Sequence, residues 1–108
     1  MDKTVRIREL NDAFCKSFVG GKVVVTQGVD GLSDGDKMML LAKVRAFDDF
    51  NRDNDPHHQH DFVRVEQDGT TYYGKIDYYA MDMESGSEDP ADPLQTVRVL
   101  TILRADEY

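Results

Sequence analysis

Apolar residues recur at helical spacing near the start of the chain. They are separated by three, four and four residues, which predicts an amphipathic helix over residues 4–19. The stripe consists of Ile7, Leu10, Phe14 and Phe18. Gly20 and Gly21 follow directly, and glycine commonly ends a helix because it adopts the left-handed backbone conformation without strain.

A second helical pattern begins at Ser33. Asp36 lies three residues later, so the sequence resembles a capping box with Asp in place of the usual Glu. We therefore predict a helix that continues to about Asp49 and packs through one apolar face. That face consists of Met39, Leu40, Leu41, Val44 and Phe47.

Four segments have the composition or alternation of strands. They cover residues 22–27, 62–67, 70–79 and 96–104. The first is rich in β-branched side chains and predicts a short buried strand followed by a loop at 28–32. Asp68 and Gly69 are a typical two-residue hairpin turn. The order α-β-α-β-β-β predicts one α+β domain over residues 1–108, with two helices packed on one face of a mostly antiparallel four-stranded sheet.

A two-residue turn fixes the register of the predicted hairpin, because the numbers of opposite residues then sum to 137. One face of the hairpin carries the predicted core residues Val63, Val65, Tyr72 and Ile76. The opposite face carries Phe62, Arg64, Tyr73 and Lys75, and the register places His60 opposite Asp77. The loops that enter and leave the hairpin, residues 51–60 and 80–95, are therefore expected to be neighbours.

Composition limits the classes of function. The chain has 108 residues and a net charge of −8. An acidic surface repels phosphate backbones, so we expect no direct binding to nucleic acid. No apolar run is long enough for a membrane span, and none at the N-terminus resembles a secretory signal. The single cysteine, Cys15, allows no internal disulfide, and together these features favour a cytoplasmic protein.

Residues 48–62 contain five aspartates and all three histidines, which raises the question of a metal site. The match to an EF-hand loop fails, because its sixth position is Asn54 rather than Gly and its twelfth is His60 rather than Glu. His58 and His60 would share one face of an extended chain, but no HExxH or CxxC motif accompanies them. We therefore expect neither a metal nor a cofactor.

His60 also suggests acid–base chemistry. It lies beside Asp61 and, in the predicted register, opposite Asp77, and a carboxylate–imidazole pair is typical of general acid–base catalysis. A small metal-dependent or acid–base enzyme centred on these three residues is therefore one alternative hypothesis, although no nucleophile is indicated and no catalytic residue is assigned. The simpler interpretation is that His60 orders its loop by meeting Asp77 or a carboxylate among residues 84–92.

Aromatic residues suggest a second surface. Alternation places Tyr73 and Tyr79 on the hairpin face away from the predicted core, beside Phe62 and Lys75. Exposed aromatic side chains favour protein interfaces. This face is therefore a candidate contact surface for another protein, or for a second copy of the chain in a structural homodimer.

Several longer strings occur together in this chain: IRELNDAF, FVGG, FDDF, DNDP, HDF, KIDYY, GSEDPADP and RVLTIL with a terminal EY. In this combination, over residues 7–108, the chain resembles the family known as domain of unknown function 3768. The resemblance implies a small single-domain bacterial protein, typical of alphaproteobacteria and of plasmids and other mobile elements. It brings no catalytic residues. Its recurring pattern includes Asn54, Asp55, Pro56, His60, Asp61, Phe62, Glu88, Asp89 and Pro90.

These observations favour a non-enzymatic protein-binding module. By analogy, an acidic protein of a mobile element would inhibit a host defence protein by occupying its basic nucleic-acid-binding surface. The module would use its acidic loop end or its aromatic sheet face. The residues expected to bind are Asp53, Asn54, Asp55, His60, Asp61, Phe62, Tyr73, Asp77, Tyr79, Glu88 and Asp89.

Overall fold

The structure is a computed structural model that describes residues 2–108. It has the α+β architecture that the sequence predicts, with a mostly antiparallel sheet of four strands. The elements are α1 (Lys3–Ser17), β1 (Lys22–Val25), α2 (Gln27–Asp30), α3 (Asp34–Ala46), β2 (Phe62–Gln67), β3 (Thr70–Tyr79), β4 (Val97–Arg104) and a 3-10 turn, Ala105–Glu107. None of the helices in this part of the chain is both long and apolar enough to cross a lipid bilayer.

Helix α1 begins and ends at residues that complete its hydrogen bonding. The side chain of Asp2 accepts a hydrogen bond from the amide of Thr4 at 2.8 Å, which satisfies one free donor of the first turn. At the other end Phe18 adopts the left-handed conformation, with φ 59°, and its amide bonds to the carbonyl of Phe14. The helix therefore ends two residues before the glycines that the sequence indicated.

Helix α3 begins at the predicted position. Ser33 is its N-cap, and the hydroxyl of Ser33 accepts a hydrogen bond from the amide of Asp36 at 3.2 Å. Leu40 and Val44 are fully buried, as predicted. The prediction was wrong for Met39, which is 55% exposed. It was also wrong for the C-terminus, since the helix ends at Ala46 rather than near residue 49 and Phe47 is already extended.

Two predictions near β1 were wrong. The segment predicted as a loop contains the short helix α2, whose Val29 is completely buried. The strand predicted as buried lies at the edge of the sheet, where Val24 is 45% exposed. β-Branched residues suit an exposed edge strand as well as a central one, so composition alone did not distinguish the two.

The sheet has the strand order β1-β4-β3-β2, in which β1 is parallel to β4 and the other pairs are antiparallel. The predicted hairpin register is confirmed over the whole of β2, from the pair Phe62–Lys75 to the pair Gln67–Thr70. Asp68 and Gly69 both have positive φ, at 51° and 78°, as a type I′ turn requires.

The helices pack on one face of this sheet. The four hairpin residues that the sequence placed in the core are buried, and β4 adds Leu100 and Ile102 from the same face. Phe14, Cys15, Val29, Leu40 and Val44 supply the helical side of this core. We call the opposite face, which these helices leave free, the open face. It consists of the even-numbered residues of β1 and β2 and the odd-numbered residues of β3 and β4.

Candidate functional site

The first acidic loop, residues 48–61, is held by its own side chains. The side-chain oxygen of Asn51 accepts hydrogen bonds from the amides of Asp53 and Asn54 at 2.8 and 3.2 Å. The side chain of Asn54 donates to the carbonyl of Asp49 at 2.9 Å. Asn and Asp side chains commonly replace backbone partners in this way, so the DNDP segment forms an ordered turn.

The buried side chain of Asp55 fixes the backbone at the end of this loop. Its carboxylate is only 4% exposed, and Oδ1 accepts hydrogen bonds from the amides of Gln59 and His60 at 3.1 and 3.0 Å. His58 and His60 both have positive φ, at 58° and 53°. Non-glycine residues adopt this conformation uncommonly, and here the two amide bonds to Asp55 hold the backbone in it.

His60 lies between two carboxylates and against an aromatic ring. Its Nδ1 is 2.8 Å from Oδ1 of Asp12 on α1, and its Nε2 is 3.6 Å from Oδ2 of Asp55. Its ring stacks on Phe50 with centroids 3.8 Å apart and an interplanar angle of 5°. His60 therefore joins the first acidic loop to α1.

His60 meets carboxylates, as predicted, but both predicted partners were wrong, since it contacts neither Asp77 nor a carboxylate among residues 84–92. The hydrogen bond from the amide of Ile76 to the carbonyl of Asp61, at 2.9 Å, continues the hairpin, but the left-handed backbone at His60 turns the chain away from β3. Asp77 instead forms an ion pair with Lys75 at 3.4 Å on the open face. The trio His60, Asp61 and Asp77 is therefore not assembled into one site.

A buried pair of polar residues lies beneath both acidic loops. Asn11 is fully buried and Arg98 is 3% exposed, and Nε of Arg98 donates to Oδ1 of Asn11 at 2.8 Å. The other partners of Arg98 are also uncharged, since it donates to the carbonyl of Pro90 and lies over the ring of Tyr78. Burial lowers the pKa of Arg98 below its ordinary value, because the charged guanidinium has lost much of its hydration.

The same pair connects the two loops. The amide nitrogen of Asn11 donates to the carbonyl of Gln59 in the first loop at 2.9 Å, while Arg98 donates to the carbonyl of Pro90 in the second. Helix α1 adds a contact to each loop, from Arg8 to the carbonyl of His58 and from Lys3 to Asp89. Both loops are thus attached to one side of the domain.

Tyr78 and Asp61 extend this polar layer. The hydroxyl of Tyr78 accepts a hydrogen bond from Asn11 at 2.8 Å and lies 3.4 Å from Oδ2 of Asp61. Burial is the main reason that the pKa of Asp61 is raised, and the nearby carboxylate of Asp55 adds to the shift. Burial also raises the pKa of Tyr78 far above its ordinary value. The layer therefore opposes the ionisation of both groups.

The second acidic loop, residues 80–95, uses some of its carboxylates as turn formers. Oδ1 of Asp82 accepts hydrogen bonds from the amides of Glu84 and Ser85, and Oδ1 of Asp92 accepts one from the amide of Leu94. These amide bonds lower the pKa of Asp82 and of Asp92, because they favour the ionised carboxylate. Both residues therefore remain charged under ordinary conditions.

The charge of the chain is concentrated in these two loops. They contain ten of the 21 acidic residues and one of the 13 basic residues, Arg52. Their net charge of −9 therefore exceeds the −8 of the whole chain, and the remaining residues together carry +1. The acidic character of this protein belongs to its loop end rather than to its whole surface.

Apolar side chains are exposed within the second acidic loop. Leu94 is 83% exposed and Met81 is 63% exposed. Both line a shallow cavity of about 340 Å³, and Glu88 lies at the same cavity. An apolar centre with charged residues around it is the usual composition of a protein interface.

The residues predicted to bind therefore fall into two groups. Asp53, Asn54, Asp55, His60, Asp61, Glu88 and Asp89 lie in the acidic loops, and Phe62, Tyr73, Asp77 and Tyr79 lie on the open face. On the open face the rings of Phe62 and Tyr73 are 5.1 Å apart, and Tyr108 packs against Tyr73 at 5.7 Å. Within residues 2–108, no group of three or more His, Cys, Asp or Glu side chains is arranged to hold a metal ion.

The sequence-based prediction missed Asn11, Arg98 and Asp12. A signal for the first two was present. Asn11 lies four residues after Ile7 and three before Phe14, so it occupies the apolar stripe of α1. Arg98 is two positions from Leu100 and therefore points to the same core face of β4. Polar residues at core positions are buried together when each supplies the other's hydrogen bonds.

The fold and the site define a small α+β domain with an anchored acidic loop end. The chain belongs to the family described as protein of unknown function DUF3768, whose model matches residues 25–107. This match contains both acidic loops and all four strands except the first three residues of β1, and it begins after α1. No curated protein and no solved structure gives a significant match.

Proposed function

We propose that this protein is a non-enzymatic binding module whose acidic loop end engages a basic surface of another protein. The observation that carries the proposal is the confinement of the net charge to the two loops, which hold −9 while the remainder holds +1. A charge distribution of this kind attracts a basic partner to one end of the molecule and orients it during the encounter.

Anchoring of the loops supports a binding role. The carbonyls of Gln59 and Pro90 are both bonded to the buried Asn11–Arg98 pair, and His60 fixes the first loop to Asp12 on α1. Loops that are held in one arrangement lose little conformational freedom when they bind, so less binding energy is spent on ordering them.

The exposed apolar residues would supply the desolvated centre of the contact. Met81 and Leu94 line the cavity in the second loop, and Glu88 stands beside them. A partner with an apolar side chain surrounded by Lys or Arg would match this arrangement, since charge gives orientation and the buried apolar anchor gives affinity.

We propose further that the basic partner is a nucleic-acid-binding protein, such as a host defence protein opposed by a mobile element. Apart from Asp55 and Asp61, whose carboxylates lie in the buried layer, the two loops present eight carboxylates, a density of negative charge that a groove for phosphate backbones would accept. The module would then exclude nucleic acid from that groove by occupying it. This role needs no catalytic group in the module itself.

The test begins with affinity capture from the native host and then measures binding to the recovered protein. The variant Glu84→Lys/Glu88→Lys reverses two exposed charges whose side chains accept no backbone hydrogen bond. We expect its affinity to fall at least about tenfold and the salt dependence of binding to weaken. Nucleic acid should compete with the wild-type protein for the partner.

The matched control is Asp30→Lys/Asp34→Lys, which changes the net charge equally on the helical side of the domain. We expect this control to bind within about twofold of the wild type. Equal losses in the two double variants would contradict a local acidic site. A partner that nucleic acid does not displace would contradict the more specific part of the proposal.

A further inference from the structure

The open face is chemically unlike the acidic loops. It carries the aromatic pair Phe62 and Tyr73, with Tyr108 against both, and at the opposite edge of the sheet Val24 is 45% exposed. A cavity of about 430 Å³ opens between Lys75, Leu103 and Tyr108. The helices pack on the other side, and this face is covered only in part, where Tyr108 packs on Tyr73 and Leu103 is 3% exposed.

The charges of the open face are nearly balanced. Lys22, Arg64 and Lys75 are its basic strand residues, and Glu66 and Asp77 are its acidic ones. These strand residues therefore carry +1, and Glu107, which lines the cavity on the same face, brings the sum to zero in a chain whose net charge is −8. Two copies of this chain repel each other through their loops, and the open face is a surface through which they approach without that repulsion.

The order of charges on β3 is self-complementary. Lys75 and Asp77 flank Ile76, point to the same face and form an ion pair at 3.4 Å. A twofold axis that lies in the plane between two stacked sheets, perpendicular to β3 and near Ile76, places Lys75 of each copy over Asp77 of the other. Such an isologous contact is the usual form of a dimer interface.

The same axis separates the acidic loops. The first acidic loop leads into β2 and the second leaves β3, so both lie at the same end of the hairpin. A twofold axis perpendicular to β3 reverses the direction of that strand in the second copy. The loops of the two copies then lie at opposite ends of the assembly, where their mutual repulsion is smallest. They also remain free for a separate partner.

We propose that two copies of this chain pair through the open face about a twofold axis near Ile76, with Lys75 of each copy against Asp77 of the other. The rings of Phe62 and Tyr73 are buried in the contact, and the two sheets form a sandwich. The occupant of the face is a second copy of the chain, because the order of Lys75 and Asp77 on β3 is complementary to its own twofold mate, in which each intrachain ion pair gains a second partner of opposite charge.

The mass in solution tests this proposal, measured by sedimentation equilibrium over a range of concentrations. We expect the wild-type protein to reach twice the chain mass of 12.3 kDa. The single variants Lys75→Glu and Asp77→Lys should each raise the dimer dissociation constant at least about tenfold, because like charges then face each other. The double swap Lys75→Asp/Asp77→Lys should restore dimerisation, since each acid again meets a base.

The matched control is Lys37→Glu, which removes an ion pair to Asp30 of similar length, 3.2 Å, from the helical side and should leave dimerisation unchanged. Far-UV circular dichroism of every variant checks that the fold is retained. A wild-type mass of 12.3 kDa that persists at ~200 µM would overturn the proposal. So would a dimer that the single reversals do not weaken, or one that the double swap fails to restore.

Discussion

Oδ1 of Asn11 accepts a hydrogen bond from Nε of Arg98 at 2.8 Å, although 87 residues separate the two in the chain. Asn11 also donates to Gln59 in the first acidic loop, and Arg98 donates to Pro90 in the second. Asn11 and Arg98 therefore bond to each other, and each of them also donates to a carbonyl of one loop. The pair therefore links one carbonyl of each loop to the same buried contact.

Substitution of Asn11 by Ala should destabilise the protein strongly. The change leaves Nε of Arg98 and the carbonyl of Gln59 without their partner in a buried layer, at a cost of about 3 kcal/mol in the free energy of unfolding. Chemical denaturation measures this cost. Lys16→Ala, at an exposed position of the same helix, is the control and should change stability by no more than about 0.5 kcal/mol.

A double-mutant cycle with Asn11→Leu and Arg98→Met would measure the interaction energy between these two side chains apart from their contacts with other residues. We expect the double variant to be more stable than the sum of the two single losses implies, by about 1–3 kcal/mol, because no polar group of the pair is then left alone. Additive losses would show that Asn11 and Arg98 act independently of each other.

His60→Ala should loosen the first acidic loop. It removes the contact of Nδ1 with Asp12 at 2.8 Å and the stacking on Phe50, which together stabilise the fold by about 1–2 kcal/mol. Faster amide hydrogen exchange should follow at residues 55–61. His57→Ala alters an exposed histidine three positions away and should leave both stability and exchange unchanged. Similar effects in the two variants would argue against an ordering role for His60.

Glu107 should make stability depend on acid pH. Its carboxylate accepts hydrogen bonds from Thr26, from the amide of Arg104 and from the amide of Gly28, and these lower its pKa below the ordinary 4.5. Because the folded pKa is lowered, the ionised carboxylate contributes its full stabilisation above the ordinary pKa of 4.5. This contribution is lost as the pH falls from 4.5 through the folded pKa.

We therefore expect Glu107→Gln to be less stable than the wild type near neutral pH, with a difference that narrows below pH 4.5. Gly28→Ala offers an independent check, because its Cβ would come within 2.5 Å of Oε1 of Glu107 and displace the carboxylate. Denaturation curves recorded from about pH 3 to pH 7 provide the measurement. A difference that stays constant across this range would contradict the expectation.

Asp61 should affect the pH dependence of stability in the direction opposite to Glu107. Burial and the charge of Asp55 raise its pKa above the ordinary 3.8, so its ionised form is disfavoured in the folded protein. The penalty is absent below the ordinary pKa, grows as the pH rises from there to the folded pKa, and is constant above the folded pKa. Asp61→Asn should therefore stabilise the protein near neutral pH and confer no gain at low pH. A loss of stability at neutral pH would show that the carboxylate is needed to bond Tyr78.

The hairpin illustrates what the sequence contained. Asp68 and Gly69 suit the two positive φ angles of one particular turn, and that turn fixes every pair from Phe62–Lys75 to Gln67–Thr70. The buried and open faces of β2 and β3 then followed from alternation alone. The neighbourhood of the two loops followed as well, because both continue from the same end of the hairpin.

The contacts of His60 could not be obtained in this way. Extrapolation of the register beyond β2 assumed an extended chain, whereas the carboxylate of Asp55 captures the amide of His60 and holds its backbone at φ 53°. Its actual partner Asp12 lies on α1, which no local pattern relates to the first acidic loop. Tertiary contacts of this kind depend on how the layers pack and are absent from sequence periodicity.

The parallel pairing of β1 with β4 has a consequence for how the chain reaches its fold. The pair Lys22–Val99 joins residues 77 positions apart, and β4 lies in the middle of the sheet although it is the last strand along the chain. On the ribosome, α1 and β1 emerge long before the strand that completes their layer. Contacts between residues so far apart in the sequence form slowly, so the nascent chain keeps an uncovered apolar surface until β4 is synthesised.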